Sequence, residues 1–157
     1  MIIVILAADE NNGIAKSGSI PWYSKKDFDF FRETTIGKGN NMILMGRKTR
    51  ESISRWPLPK RINITMTSTP HTINEVSSWD QVIELKNIYD DIFIIGGADI
   101  YRQAFAKKIP DKIYISRIFG NYTCDKFIDM NLIRENYRFH ESVVFEDFTL
   151  EIWLINS

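Results

Sequence analysis

Ile92-Phe93-Ile94-Ile95-Gly96-Gly97-Ala98-Asp99-Ile100-Tyr101 decides how this chain folds. An unbroken apolar run of this length is a strand covered on both faces. The paired glycines let backbone come close to a ligand, and a helix follows to about Lys108. The full Gly-x-Gly-x-x-Gly spacing is missing, so a tight strand-to-helix turn accounts for the glycines equally well at this point.

The same pattern recurs outward from that unit. Ile2–Ala8 is a continuous apolar run, expected as a central strand. Met42–Met45 is another, ending in Gly46-Arg47-Lys48-Thr49 and a short helix through Ile53. The strand Ile62–Met66 ends in the hydroxyl-rich Thr67-Ser68-Thr69-Pro70. Ser78-Trp79-Asp80-Gln81 opens a helix to about Ile88, with Ser78 and Gln81 placed as a capping box. Ile113–Ile118 is a further strand, and Cys124–Met130 reads as irregular. Strand-like stretches near 142–146 and 148–155 meet at a reversal around Asp147, which predicts an antiparallel hairpin. Alternation of strands and helices up to residue 118 predicts an α/β fold: a mostly parallel sheet, helices on both faces, the hairpin at one edge. Ligands of such sheets sit at the carboxyl ends of strands, here Leu6-Ala7, Gly46-Arg47, Thr67-Ser68, Gly96-Gly97 and Ser116.

The 157 residues suit one domain, 1–157. Twenty basic and twenty acidic residues cancel, so no global field draws the chain to nucleic acid or to a membrane surface. A single cysteine, Cys124, excludes an internal disulfide, and two histidines without ligand spacing leave no expected metal site. No apolar run reaches transmembrane length. A cytoplasmic monomer is the expectation.

The chemistry centres on Pro21-Trp22-Tyr23-Ser24-Lys25-Lys26-Asp27-Phe28-Asp29-Phe30-Phe31. Ser24 is a good N-cap for a helix over 25–35, and Asp27, Phe28, Phe31 and Thr35 fall on one face. A carboxyl beside phenyl rings is partly desolvated, which raises its pKa and suits recognition of a flat heterocycle carrying NH groups. Ser24-x-x-Asp27 is equally the pattern of a capping box, with Asp27 serving only the helix start. The preceding loop, residues 9–20, is polar with Ile14 and Ile20 as apolar tips; it could close over a ligand or simply be pinned to the core. Gly46-Arg47-Lys48-Thr49 could hold a phosphate. Arg61, after Trp56-Pro57-Leu58-Pro59-Lys60, could pair with a carboxylate.

In this order, these residues resemble dihydrofolate reductase. The matching features are Ala7, Gly13-Ile14, Pro21-Trp22, Asp27, Phe31, Met45 to Thr49, Glu51-Ser52-Ile53, Pro57-Leu58-Pro59, Arg61-Ile62-Asn63 and Ile95-Gly96-Gly97 followed by Ile100-Tyr101. The resemblance implies a sheet of eight strands with about four flanking helices and hydride transfer from NADPH to dihydrofolate, giving tetrahydrofolate. Asp27 would hold the pterin and support its protonation, with Trp22 and Ser116 beside it. Ile5, Leu6, Phe28, Phe31, Ile53 and Leu58 would line the substrate pocket, and Arg61 would take the glutamate tail. Ala7, Ile14, Ile20 and Tyr101 would surround the nicotinamide of the cofactor. Arg47, Lys48 and Ser68 would face its 2′-phosphate, and Thr49, Gly96, Gly97 and Ala98 its diphosphate; Gly46, Thr67, Thr69, Ile95 and Ile100 would also contact the cofactor. In that family the bond between the paired glycines is cis. The chain departs from the family pattern at Ala15, Arg50, Lys60, Asp99 and Lys126. A same-fold reductase of a ribosylaminopyrimidine, and a nucleotide-binding module without catalysis, are the competing readings.

Overall fold

The computed structural model describes residues 1–157. In chain order the elements are β1 (Ile2–Ala8), β2 (Gly13–Ala15), α1 (Lys25–Ile36), β3 (Met42–Gly46), α2 (Arg47–Ser52), β4 (Ile62–Met66) and β5 (Glu75–Val76). Then come α3 (Trp79–Glu84) with a 3-10 turn at Leu85–Asn87, β6 (Ile92–Ile94), α4 (Ala98–Ala106), β7 (Lys112–Ile118) and β8 (Lys126–Phe127). The chain ends with α5 (Met130–Asn136), β9 (Tyr137–Val144) and β10 (Phe148–Ile155). Eight strands form one sheet in the order β5-β4-β3-β6-β1-β7-β10-β9. β1 pairs in parallel with both β6 and β7, and the antiparallel pairs are β7 with β10 and β10 with β9.

β1 is apolar throughout because both of its faces are covered. Ile2, Val4, Leu6 and Ala8 join a core built with Trp79 and Val82 of α3, Ile100, Tyr101, Ala104 and Phe105 of α4, and Met130 and Ile133 of α5. Ile3 and Ile5 join a second core with Ile43, Met45 and Phe93, covered by Phe30 and Phe31 of α1. The strand's two-residue period therefore divides the protein into two layers. Functional groups on α1 and α4 end up on opposite sides of β1.

Five helices form where about four were expected. The addition is α5, in and beyond a stretch read as irregular. Asp129 caps it by accepting from the backbone N–H groups of Asn131 and Leu132, and Met130 and Ile133 are its buried residues. Cap and apolar spacing were both present in the sequence, but the helix is too short for periodicity to stand out. The capping box of Ser78 and Gln81 forms as read, although regular helix stops at Glu84. β9 begins at Tyr137, earlier than expected. It is an edge strand exposed at every position but the first, so no apolar alternation marks it.

Residues 9–20 are more ordered than a free loop. β2 pairs with β8, Gly13 opposite Phe127 and Ala15 opposite Lys126. The Asp125 carboxylate accepts from Ser17 N–H at 2.9 Å. The buried Asp9 accepts from the N–H groups of Asn11, Gly13 and Tyr122. These bonds hold its carboxyl below the ordinary range although burial alone would raise it. At Gly13 a Cβ would stand 2.5 Å from Cys124 Cβ, so only glycine fits this crossing. Ile14 is buried, whereas Ile20 is 57 % exposed, so the loop is pinned at one tip and open at the other. No helix is long and apolar enough to cross a membrane.

Candidate active site

α1 settles whether Asp27 is only a cap residue. Ser24 Oγ accepts from Asp27 N–H at 3.1 Å, so the backbone of residue 27 satisfies the cap. The carboxylate takes no part in it. It is turned toward β7, where the hydroxyl of the buried Ser116 favours its charged form. Burial pushes the Asp27 carboxyl up from its ordinary value; the Ser116 bond opposes this and the Asp147 charge adds to it. Asp29, four residues and about one turn after Lys25, is paired with that lysine at 2.8 Å on the outer face.

The face that α1 turns inward is broader than Asp27, Phe28 and Phe31. Phe30 packs against Tyr114, Phe145 and Phe148 with ring centroids 5.9, 6.0 and 6.1 Å away. Phe28 stands at the margin, 53 % exposed and against Tyr23, so it can form a rim but not a floor. Phe31, Ile53 and Leu58 meet Ile5 in the second core, and Ile95 joins them there. Ile95, expected beside the cofactor, thus also closes the substrate-side wall. The Leu6 side chain points into the opposite layer, because it alternates with Ile5 along β1, so only its backbone can face the substrate side. Trp22 is buried with Ile118, Phe148 and Leu150, and its ring lies 5.4 Å from that of Tyr122.

Arg61 is held at the far end of α1. Its Nε donates to the Pro59 carbonyl at 2.9 Å and its Nη1 to Thr35 Oγ1 at 3.0 Å. No carboxylate of the chain pairs with it. Burial and the nearby Arg32 charge keep its guanidinium below the usual arginine value, the mark of a cation short of an anion. Asn63, given no role of its own by the sequence, braces this segment. Its side chain bonds the Leu58 N–H and the carbonyls of Leu58 and Arg61, all at 2.9 Å. Asp27 and Thr35 are eight residues apart on α1, so acid and guanidinium are separated by about 12 Å along the helix. The apolar wall of Ile5, Phe31, Ile53 and Leu58 lies on that same layer.

The glycine turn lies across the sheet from this wall. The Gly96–Gly97 peptide is cis, as the resemblance implied. Gly96 has φ of 127°, a backbone that disfavours any side chain. Gly46 N–H donates to the Gly96 carbonyl at 2.9 Å, which docks the end of β3 on the turn. A Cβ on Gly97 would stand 3.3 Å from Thr49 Oγ1, and one on Gly96 3.5 Å from it. Ile100 packs against Gly46, and the buried Tyr101 hydroxyl donates to the Ile5 carbonyl at 3.1 Å. Gly97 caps α4 without a side-chain acceptor, leaving the first N–H groups of α4 available. Arg47 and Lys48 are exposed at the start of α2, Arg47 3.3 Å from Glu51. Ser68 and Thr69 are exposed after β4. Asp99 is turned away from the turn toward Arg102 and Gln103 of its own helix.

Acid, apolar wall and guanidinium on one layer, with a glycine cradle beside them, can be compared with known proteins. The family model described as dihydrofolate reductase matches residues 1–147. The chain belongs to the dihydrofolate reductase family. It is 39 % identical over 140 residues to the dihydrofolate reductase of Schistosoma mansoni, covering 79 % of this chain and 75 % of that protein. To the dihydrofolate reductase of Bacillus subtilis it is 37 % identical over 130 residues, covering 80 % and 74 %. A solved structure of dihydrofolate reductase from Enterococcus faecalis, complexed with NADP(H) and RAB-propyl, aligns with a TM-score of 0.83 at 26 % identity, covering 100 % of this chain and 97 % of that one. This dihydrofolate reductase family member carries Asp27 and Arg61, with Asp99 behind the glycine turn.

Proposed function

We propose that the chain, as one domain of residues 1–157, reduces 7,8-dihydrofolate to 5,6,7,8-tetrahydrofolate with NADPH. The observation that carries this reading is the partly desolvated Asp27 at one end of α1 and the anion-free Arg61 at the other, with Ile5, Phe31, Ile53 and Leu58 between. A flat pterin, an aminobenzoyl spacer and a glutamate carboxylate need those groups in that sequence. A ribosylaminopyrimidine has no carboxylate tail for Arg61, and a binding module needs no acid held at Ser116. Residues of one copy of the chain suffice for the site, which supports a monomer as the proposed assembly; a cytoplasmic setting belongs to the same proposal.

The residues present fit the cofactor. Gly96 and Gly97 leave the gap beside Thr49 Oγ1 that a Cβ would fill, and the open first turn of α4 offers N–H donors to a diphosphate. Arg47, Lys48, Thr67, Ser68 and Thr69 would take the 2′-phosphate. Ala7, Ile14, Ile20, Ile100 and Tyr101 would enclose the nicotinamide end. NADPH, when bound, supplies the hydride.

The chain's own part is binding, orientation and proton supply. The Asp27 carboxylate accepts from the pterin's amino and ring N–H groups and favours the protonated ring, which is the better hydride acceptor. Ser116 orients that carboxylate. Trp22 and the loop of residues 9–20 limit water at the reacting face.

The test is loss of NADPH absorbance on adding dihydrofolate. Cofactor binding without that loss would leave only the binding module. One departure gives a separate expectation. Asp99 puts a negative charge in the first turn of α4, beside the proposed diphosphate site. Asp99→Asn is expected to tighten NADPH by about 0.3–1 kcal/mol, the scale of a charge at a helix terminus. Fluorescence titration giving unchanged or weaker binding would show that Asp99 does not sense the phosphates.

A further inference from the structure

Ser24 has a second partner. Its hydroxyl donates to Asp147 Oδ2 at 2.7 Å, from the turn between β9 and β10, 123 residues away. The same oxygen accepts Asp27 N–H at 3.1 Å. A serine hydroxyl carries one proton, so the proton given to Asp147 is withheld from Asp27. Asp147 Oδ1 is buried and has no hydrogen-bond partner, and no cation of the chain forms an ion pair with this carboxyl.

The surroundings leave Asp147 as the charge that faces Asp27. On α1, Lys25 and Arg32 pair with Asp29. β1 presents only Ile3 and Ile5 to α1. β7 presents the Ser116 hydroxyl, and beyond it Tyr114, packed on Phe30 of α1, with Lys112 turned to the Tyr114 hydroxyl at 3.3 Å. Lys26 of α1 is exposed. Tyr23 in the preceding loop and Glu146 in the turn are exposed.

We propose that Asp147 is a positioning residue for the reduction: it fixes the first turn of α1 through Ser24 and sets the pH dependence of the reaction by keeping a second negative charge beside Asp27. This rests on the reading of Asp27 as the acid of the reaction. Like charges that share a site disfavour joint ionisation, so Asp147 keeps Asp27 protonated to higher pH. Its influence in that direction accompanies the burial of Asp27. A hairpin turn at the sheet edge thereby acts on chemistry in a helix 120 residues earlier.

The test is Asp147→Asn, which keeps an acceptor oxygen for Ser24 and removes the charge. The pH midpoint of the hydride-transfer rate is expected to fall by about half a unit, about threefold in rate on the alkaline limb. KM for dihydrofolate should stay within about twofold, since Asn preserves the shape of the turn. The titration of the Asp27 carboxyl, followed by carbon-labelled NMR in the unliganded protein, should move the same way. Ser24→Ala serves if the first variant does not fold; it removes the hydroxyl link, keeps both carboxylates and should melt lower while the midpoint does not fall. An unmoved midpoint in Asp147→Asn, or a fall in Ser24→Ala, overturns the proposal. Asp27→Asn measured beside them separates the two readings: if it too leaves the rate intact at every pH, it is the assignment of Asp27 that fails.

Discussion

Asp27→Asn is expected to lower the rate of dihydrofolate reduction at neutral pH by about 10²–10⁴-fold, the usual contribution of a positioned acid or base. The Asn side chain still fits beside Ser116 and the Ser24 cap uses only the backbone of residue 27, so the fold survives. The loss should shrink for a substrate already protonated by acid solution, because the missing group only favours that protonation. The same variant has an opposite effect on stability. Burial raises the Asp27 carboxyl above its ordinary value, so between that value and the folded one the native state holds more protons than the unfolded state. Stability therefore falls as pH rises through that window and stays lowered above it. Asp27→Asn should melt higher than the parent at neutral pH, with the gap closing below the ordinary carboxylate range. Thermal melts across pH, run beside single-turnover kinetics, check both halves. An undiminished rate at all pH would make Asp27 a helix residue and nothing more.

Arg61→Ala should weaken dihydrofolate binding by about 1.5–3 kcal/mol, or about 10–150-fold, the range for a hydrogen bond to a charged group. The guanidinium is already held by Pro59 and Thr35, so little freedom is lost when a carboxylate arrives. Arg61→Lys should recover only part of the loss, because a single ammonium cannot offer the planar two-donor grip. NADPH affinity should not change. Calorimetric titration with each ligand separates the outcomes, and a variant that loses NADPH instead would move Arg61 to the cofactor side.

Much of this was legible in the chain. β1, β3, β4, β6 and β7 are short apolar runs flanked by turn residues, and buried parallel strands leave that mark whatever surrounds them. Ser24 and Ser78 announced their helices because capping is local chemistry. β2, β8 and β5 were not legible, since strands of two or three residues exist only through their partners. The layer taken by the Leu6 side chain was not legible either, because sequence neighbours on a strand face opposite layers and no residue type says which layer is which.

The sequence by itself determined the layered α/β plan, the acid near the start of α1, and the glycine turn, because periodicity, capping and backbone freedom act over a few residues; that Arg61 comes to the far end of α1 is a tertiary contact with Thr35. Ser116 was expected beside Asp27 from the resemblance, but only the tertiary structure brought Asp147 there: the turn between β9 and β10 meets the start of α1 through Ser24, 123 positions away. A carboxyl's proton affinity depends on burial and on the charges facing it through space, and neither is carried by the residues next to it in sequence.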